Sequence, residues 1–416
     1  MEITMLGAAR EVGRSAALFS GEKRVLMDYG AKILKGEKAH EYPLRLSRGV
    51  DAFVLSHAHL DHSGVVPLLY DHFHMPCLAT YPTQALTQLI ITDFIKIAGR
   101  KVPFSMNCYK RMVQNFFPVP YGRELDIGGN KTKLVLHDAG HIPGASMCEL
   151  RTEGKKFLYT GDFKLEDTML HKGAEFVEDV DVLLIESTYC EREHPDREEA
   201  IGKIMEEIGR TVEAGGTALL PAFAIGRAQE LVMMLHQQDR GLHVYLDGMA
   251  KGVSEVILNY PGYVRDARAL ADALEWAEWV ETPAQKRKAL ADGGVIVSTA
   301  GMLDGGPALG YLVRMNGQPD NRVIFTGYCV ENTNGWHLQK DRRIKVDREW
   351  VEITLPVSYH DLSAHAGRKD LFDFVGKSGA EKILCIHGDR CEQFAEELKA
   401  KGHDAYAPKL GEAMQV

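Results

Sequence analysis

Residues 56–64 read SHAHLDHSG, so His57, His59, Asp61 and His62 fall within six consecutive positions. In an extended or turning segment alternate side chains point the same way. His57 and His59 can therefore grip one metal ion, while Asp61 and His62, one turn further, can face a second. Neutral imidazole together with carboxylate suits zinc, with manganese or iron fitting less well. Surface or capping groups before a helix are the bland alternative, and they rarely come this dense. The apolar run just before the cluster, VDAFVL, has the length of a buried strand. The cluster thus sits where a strand leaves its sheet, which is where α/β folds place their chemistry.

Three later stretches each set a ligand-type residue directly after an apolar run and beside glycine: His141 in DAGHIPGAS, Asp162 in LYTGDF and His387 in CIHGD. A single strand-end histidine is more often a hydrogen-bonded structural residue. In company with the first cluster, all three are expected to complete the metal centre.

The elements that must position these residues change character along the chain. Up to about residue 190 the sequence reads as short strands ending in polar residues, among them RVLMDYG, TKLVLHDAG, KFLYTGDF and VDVLLIEST, with SGVVPLLYDHF as a helix. From about 197 helix and strand patterns alternate (REEAIGKIMEEIGRTVEAGG, TALLPAFA, GRAQELVMMLHQ, HVYLDG), which predicts a parallel sheet covered by helices. After about 350 come EWVEITLPVSYHD, the helix GRKDLFDFVGK and the strand KILCIHGD, closer in style to the first part.

A chain of 416 residues exceeds one ordinary core and predicts about two units. With 45% hydrophobic and 26% charged residues and no apolar run long enough to span a bilayer, no membrane association is expected. The start, MEITMLGAAREVGRS, puts Glu2 where a signal peptide would be basic, so no leader is expected. Seven scattered cysteines, never spaced CxxC, argue against a disulfide framework or zinc ribbon and predict a cytoplasmic location. The net charge of −9 counts against a protein that coats nucleic acid nonspecifically. The basic stretches at 99–111 and 339–348 read first as solvated surface.

The motifs SHAHLDH, AGHIPGA, YTGDF and CIHGD resemble those of the metallo-β-lactamase superfamily. IESTY, PAFAIGRAQEL, STAGMLDGGPALGYL, TGYCVENTNGWHL and DLSAHAGRKDL resemble its β-CASP nucleases, in particular the archaeal and bacterial relatives of the cleavage and polyadenylation specificity factor endonuclease. The resemblance covers nearly the whole chain. It implies an α/β fold, an αββα metallo-β-lactamase sandwich with an inserted β-CASP domain whose parallel sheet is flanked by helices. The implied divisions are 1–190, 191–354 for the insert, and 355–416 for the return to the sandwich.

The resemblance also implies roles. His57, His59 and His141 hold one zinc, Asp61, His62 and His387 the second, and Asp162 bridges both; Asp28 in LMDYG fixes a ligand histidine. His365 in LSAH stands over the scissile phosphate with Glu186 of IESTY as its orienting partner, and His360 is read as peripheral. Water activated at the metal pair, Asp61 included, would attack phosphorus in line, and His365 would protonate the departing 3′ oxygen, giving 5′-phosphate and 3′-hydroxyl products. The implied activity is that of a zinc-dependent ribonuclease in RNA processing or decay, an endonuclease, a 5′→3′ exonuclease or both, acting on single-stranded RNA as monomer or homodimer. Alternatives are a dizinc hydrolase of a non-nucleotide ester or thioester, and a catalytic subunit that takes its RNA recognition from other RNA-processing proteins.

In the middle region Ser298, Thr299, Gly301, Gly305 and Gly306 are small enough to let phosphate approach backbone N–H groups, and Arg227 sits at a helix start; tight turns without a ligand are the equal alternative. Where relatives read Glu-Gly-Thr, this chain has Glu331-Asn332-Thr333, a departure that bears on any phosphate loop there.

Overall fold

Strands buried on both faces read as unbroken apolar runs, because alternate residues serve two different cores. The run RVLM shows this: in the strand Arg24–Met27, Val25 and Met27 join a core between two sheets, while Leu26 joins a second core under the helices. The computed structural model describes residues 1–34, 40–129, 131–238 and 241–416, and divides them into two units.

The first unit comprises 1–167, 172–193 and 364–416. One of its seven-stranded sheets runs Ala413–Gln415, Glu2–Gly7, Ala16–Ser20, Arg24–Met27, Ala52–Val54, Cys77–Ala79, Phe116–Pro118, antiparallel up to Arg24–Met27 and parallel beyond. The other runs Asp404–Tyr406, Lys382–Ile386, Val182–Glu186, Lys155–Tyr159, Ser146–Thr152, Lys133–Asp138, Leu125–Asp126, with its first four strands parallel. The sheets face each other across a shared core in which Phe19 meets Phe157 edge to face at 6.0 Å. Helices Tyr81–Ala98 and Met106–Gln114 cover the outside of the first sheet; Arg368–Ser378 and Cys391–Ala400 pack on the second. This is the expected αββα sandwich.

Two details differ from the sequence reading. SGVVPLLYDHF is not one helix: it forms the end of a short turn, Leu60–Ser63, and a second turn, Val66–Leu69. Pro67 has no N–H to continue the first turn's hydrogen bonding, so it serves as the opening of a new one. EWVEITLPVSYHD likewise splits. Glu349–Glu352 is half of a hairpin with Arg343–Val346, and Val357–Tyr359 joins a different sheet, with Pro356 at the break.

The second unit, 168–171 and 194–363, holds that other sheet. Its order is Glu278–Trp279, Val244–Asp247, Gly294–Ser298, Thr217–Pro221, Arg322–Phe325, Val357–Tyr359, and every pairing is parallel. Among the described residues, seven α-helices from Arg197–Glu213 to Asn334–Asp341 connect its strands, as the alternating pattern predicts. Among the described residues, no helix is long and apolar enough to cross a membrane.

Candidate metal centre

In the second sheet of the first unit, three neighbouring strands run parallel. Leu184 lies opposite Tyr159, and Ile386 opposite Glu186, so the residues that follow, Asp162 and His387, reach the same edge as Glu186 itself. His57 to His62 arrive at that edge from the strand Ala52–Val54 of the facing sheet. Two glycines permit the crossing. A Cβ on Gly30 would lie 1.7 Å from the Asp61 carbonyl oxygen, and one on Gly161, at φ +53°, would lie 2.9 Å from the Ser56 Cβ.

The edge carries two groups that share one residue. His57, His59, His141 and Asp162 offer ligand atoms all within 4.8 Å of one another; Asp61, His62, Asp162 and His387 do the same. Asp162, Glu186 and His365 form a third such group beside them. Outer ring nitrogens are tied to protein: His141 Nδ1 lies 2.8 Å from the Ala364 carbonyl, His57 Nδ1 3.1 Å from Ser56 Oγ, and His62 Nδ1 2.7 Å from Asp28 Oδ2. Inner nitrogens face the group, with His57 Nε2 at 3.5 Å and His62 Nε2 at 3.4 Å from Asp162 Oδ2. That division, one nitrogen oriented and the other presented, is how histidine is prepared for a metal.

A direct test of fit comes from atoms that have no other use. His57 Nε2, His387 Nε2 and Asp162 Oδ1 are buried and make no hydrogen bond. Buried polar atoms left in this way are costly unless something else engages them, and the donor set is imidazole and carboxylate. These residues fit a pair of metal ions.

Electrostatics separates the two groups. Burial, reinforced by neighbouring histidines, holds the pKa of His57 and His141 well below the ordinary value, and burial lowers His59 as well. These three are neutral donors. Burial works in the same direction at His62 and His387, but there the carboxylates of Asp162, Asp61 and, for His62, Asp28 outweigh it and raise both. Burial would lift Asp162 and Asp61, yet the facing histidines keep both carboxyls below their usual range. In the metal-free chain, protons thus supply part of the positive charge that the carboxylates call for.

Asp28 is fully buried and takes a left-handed backbone at φ +59°. It accepts four hydrogen bonds at 2.7 Å, from Ser56 N, Ser56 Oγ, His62 Nδ1 and Tyr159 Oη. Glu186 is 1% exposed; its two oxygens each lie 3.1 Å from His365 Nδ1, and one also accepts from Phe163 N at 2.9 Å. His365 is still in touch with solvent, its ring 4.7 Å from that of His141. Burial pulls its pKa down, but Glu186, Asp162 and Asp61 together lift it to about 9. His360 instead lies in the second unit, 3.3 Å from Glu207.

The residues read as phosphate contacts have internal work in the second unit. Arg227, 8% exposed, donates to Glu230 and to the Leu362 carbonyl. Thr299 Oγ1 accepts from Met249 N at 3.1 Å, and Ser298 is fully buried. A Cβ on Gly301 would press on the Ala222–Phe223 backbone at 3.1 Å, and one on Gly306 on the Thr299 carbonyl at 3.0 Å; Gly305 alone faces open space.

Other supporting residues escaped the sequence reading. Tyr159, Ser56 and Thr188, whose Oγ1 lies 3.3 Å from His387 Nδ1, carry no metal-ligand signature, although all three stand within the quoted motifs. Buried His171, Arg197 and Glu230 in the second unit lie far apart in sequence and gave no pattern to find.

Comparison with known proteins bears on this arrangement. Residues 18–187 match the metallo-β-lactamase superfamily domain, 228–338 the Beta-Casp domain, and 350–408 the Zn-dependent metallo-hydrolase RNA specificity domain. The chain belongs to the β-CASP branch of the metallo-β-lactamase superfamily. This β-CASP protein is 36% identical to the probable RNase MJ4 of Methanocaldococcus jannaschii over the whole of both chains. It is 32% identical to RNase aCSPSF2 of Saccharolobus solfataricus, over all of this chain and 85% of that one. It is also 32% identical to the transcription termination factor FttA of M. jannaschii, over all of this chain and 72% of that one. A crystal structure of a protein of unknown function from Enterococcus faecalis V583 matches 99% of both chains with a TM-score of 0.63 at 14% identity, a likeness of fold.

Proposed function

We propose that this β-CASP protein is a zinc-dependent ribonuclease that hydrolyses phosphodiester bonds of single-stranded RNA to 5′-phosphate and 3′-hydroxyl products, in RNA processing or transcription termination. The observation that carries the reading is the Asp162 carboxylate shared between two metal-type groups, with the Glu186–His365 pair beside it. Relatives named as RNases and termination factors over their full or nearly full length support the choice of RNA.

His57, His59, His141 and Asp162 would hold one zinc ion, and Asp61, His62, Asp162 and His387 the other. When bound, the pair supplies Lewis acidity and lowers the pKa of water at neutral pH. Asp28 keeps the His62 ring turned so that Nε2 faces inward. His365, protonated on the strength of Glu186, hands a proton to the departing 3′ oxygen, and Glu186 fixes which ring atom faces the substrate. Seven free, buried cysteines are consistent with action in a reducing cytoplasm.

Zinc-loaded protein should cut a single-stranded RNA labelled separately at each end; Asp61→Ala should abolish the cut and His365→Ala should slow it by about 10²–10⁴-fold. Early internal fragments identify an endonuclease; release of mononucleotide alone from a 5′-monophosphorylated end identifies a 5′→3′ exonuclease. RNA that survives the zinc-loaded protein refutes the reading and favours a thioester or ester hydrolase, or a subunit that acts only with a partner.

A further inference from the structure

Alternation along the hairpin of the second unit sorts its side chains onto two faces. Ile344, Val346 and Val351 pack on the core of that unit, which leaves Arg343, Lys345, Trp350 and Glu352 on the outer face, with Lys345 directly opposite Trp350. Trp350 is 46% exposed, a costly place for so large an apolar ring unless something stacks on it. The Arg343 guanidinium lies over that ring at 4.4 Å. The helix Asn334–Asp341 beside the hairpin continues the pattern. Its His337 meets Trp350 edge to face with ring centroids 4.7 Å apart and Trp336 at 4.9 Å, and Lys340 lies over Trp336 at 4.3 Å. We propose that this face is a stacking platform for single-stranded RNA, on which a base stacks against Trp350 and the Arg343 guanidinium and the adjoining phosphate pairs with Lys345. The inference rests on the ribonuclease reading for its choice of ligand.

The platform is held in place from below. Asn334, 7% exposed at the start of the helix, accepts from Lys345 N at 2.7 Å and donates to the Lys345 carbonyl at 3.0 Å, so the helix is pinned to the hairpin at the residue opposite Trp350. Asp341 lies 3.1 Å from His337 Nδ1 and 3.5 Å from the Arg343 guanidinium, which steadies both groups that touch Trp350. Among the described residues, Glu352 makes no ion pair with Arg343 across from it, and the Lys345 ammonium has no carboxylate partner. Acids and bases are interspersed along 340–352, so the face lacks the unbroken positive charge that would track a duplex backbone. It offers ring and guanidinium planes instead, which an unpaired base can meet and a base inside a duplex cannot. On a chain of net charge −9, stacking has to supply affinity that long-range attraction does not.

The test is fluorescence anisotropy of end-labelled oligoadenylate and oligouridylate with the zinc-loaded full chain carrying His365→Ala, the slow-cutting parent, from about 50 to 200 mM NaCl. Trp350→Ala in that parent should weaken oligoadenylate binding about 5- to 150-fold and leave the slope of log affinity against log[NaCl] unchanged. Oligouridylate should lose less, because a pyrimidine stacks over a smaller area. Lys345→Ala should instead make the slope shallower by about 0.7, the signature of one lost single-strand phosphate contact. Trp350→Phe should keep most of the affinity, and an abasic oligomer should bind Trp350→Ala and the parent alike. Trp350→Ala that binds oligoadenylate within about twofold of the parent, or that loses the abasic oligomer equally, overturns the inference. So does a change in sedimentation coefficient of Trp350→Ala without RNA, which would make the face a contact between copies of the chain. Should Trp350→Ala fail to fold, quenching of indole fluorescence by RNA in the parent and its loss in Trp350→Phe decide the same point. If the parent binds RNA that the unsubstituted chain leaves uncut, the ribonuclease reading fails and the platform stands; if the parent binds neither oligomer, the platform fails whatever the unsubstituted chain cuts.

Discussion

Replacing Asp28 by asparagine probes how far the metal centre depends on a carboxylate that need not touch metal. Oδ1 accepts one hydrogen bond, from Ser56 N, and Oδ2 accepts three, from Ser56 Oγ, His62 Nδ1 and Tyr159 Oη, all at 2.7 Å and all out of contact with water. An amide cannot serve both sides. With its oxygen at the Oδ2 position its NH2 confronts the Ser56 N–H; turned the other way it confronts three donors. Hydrogen bonds to a charged acceptor are worth about 1.5–3 kcal/mol each, and breaking a buried charge pair costs about 3–5 kcal/mol, so a loss of about 3 kcal/mol is expected for the better orientation. For a unit of about 240 residues this is a fall in Tm of ~6–12 °C. Loss of the bond that turns His62 should also weaken zinc binding about 10- to 100-fold. Thermal unfolding in chelator reads the first quantity, and competition against a chromophoric chelator reads the second. An Asp28→Asn protein that melts within about 2 °C of wild type and binds zinc equally well would refute the assignment of Asp28 as the residue that holds His62.

Four other outcomes are expected. His365→Ala should retain its metal by elemental analysis while kcat falls by about 10²–10⁴. In the metal-free protein the raised pKa of His365 contributes stability that is full below about 6.5 and is lost as pH rises through about 9; Glu186→Gln should flatten that part of a denaturant-derived stability profile. His171 behaves oppositely: burial holds it down at about 4, so the unfolded chain takes up a proton first, and stability falls by up to about 3 kcal/mol as pH drops from about 6.5 to 4, a slope that His171→Leu should remove. Arg227→Ala should destabilise the protein by about 2–4 kcal/mol in urea unfolding, since Glu230 is buried and would keep only Arg197; unchanged stability with weakened RNA binding would restore Arg227 to the substrate.

The metal centre was legible because its chemistry is written in short runs. Four of its residues lie within 57–62, and the others each follow an apolar strand: parallel pairing of Val182–Glu186 with its two neighbours brings Asp162 and His387 to one edge, while His141 follows Lys133–Asp138 further along the same sheet. The alternation of helix and strand after 197 was legible for the same local reason. What the sequence did not reveal depends on partners distant in the chain. Tyr159 reads as one more core aromatic of its strand until Asp28 is found 131 positions away, at the end of its hydroxyl. Arg227 reads as a cation waiting at a helix start, and only the fold shows that Glu230, one turn on, and the Leu362 carbonyl, 135 positions on, already engage it. The helix SGVVPLLYDHF failed on a smaller scale, where Pro67 overrode an apolar pattern.

The order in which strands are laid down has a temporal consequence. The second unit occupies one nearly continuous stretch, 194–363, whereas the first is finished only by strands from far along the chain: Lys382–Ile386 takes a place beside Val182–Glu186, and Ala413–Gln415 pairs with Glu2–Gly7. As the ribosome delivers the chain, the insert can mature on its own while the sandwich around it still exposes the edges of Val182–Glu186 and Glu2–Gly7. His387 emerges only after the insert is complete, so the centre cannot assemble its second group before then. A nascent chain stalled short of residue 380 would carry a folded insert on an open sandwich, with His57, His59, His141 and Asp162 already synthesised but no means of completing the pair.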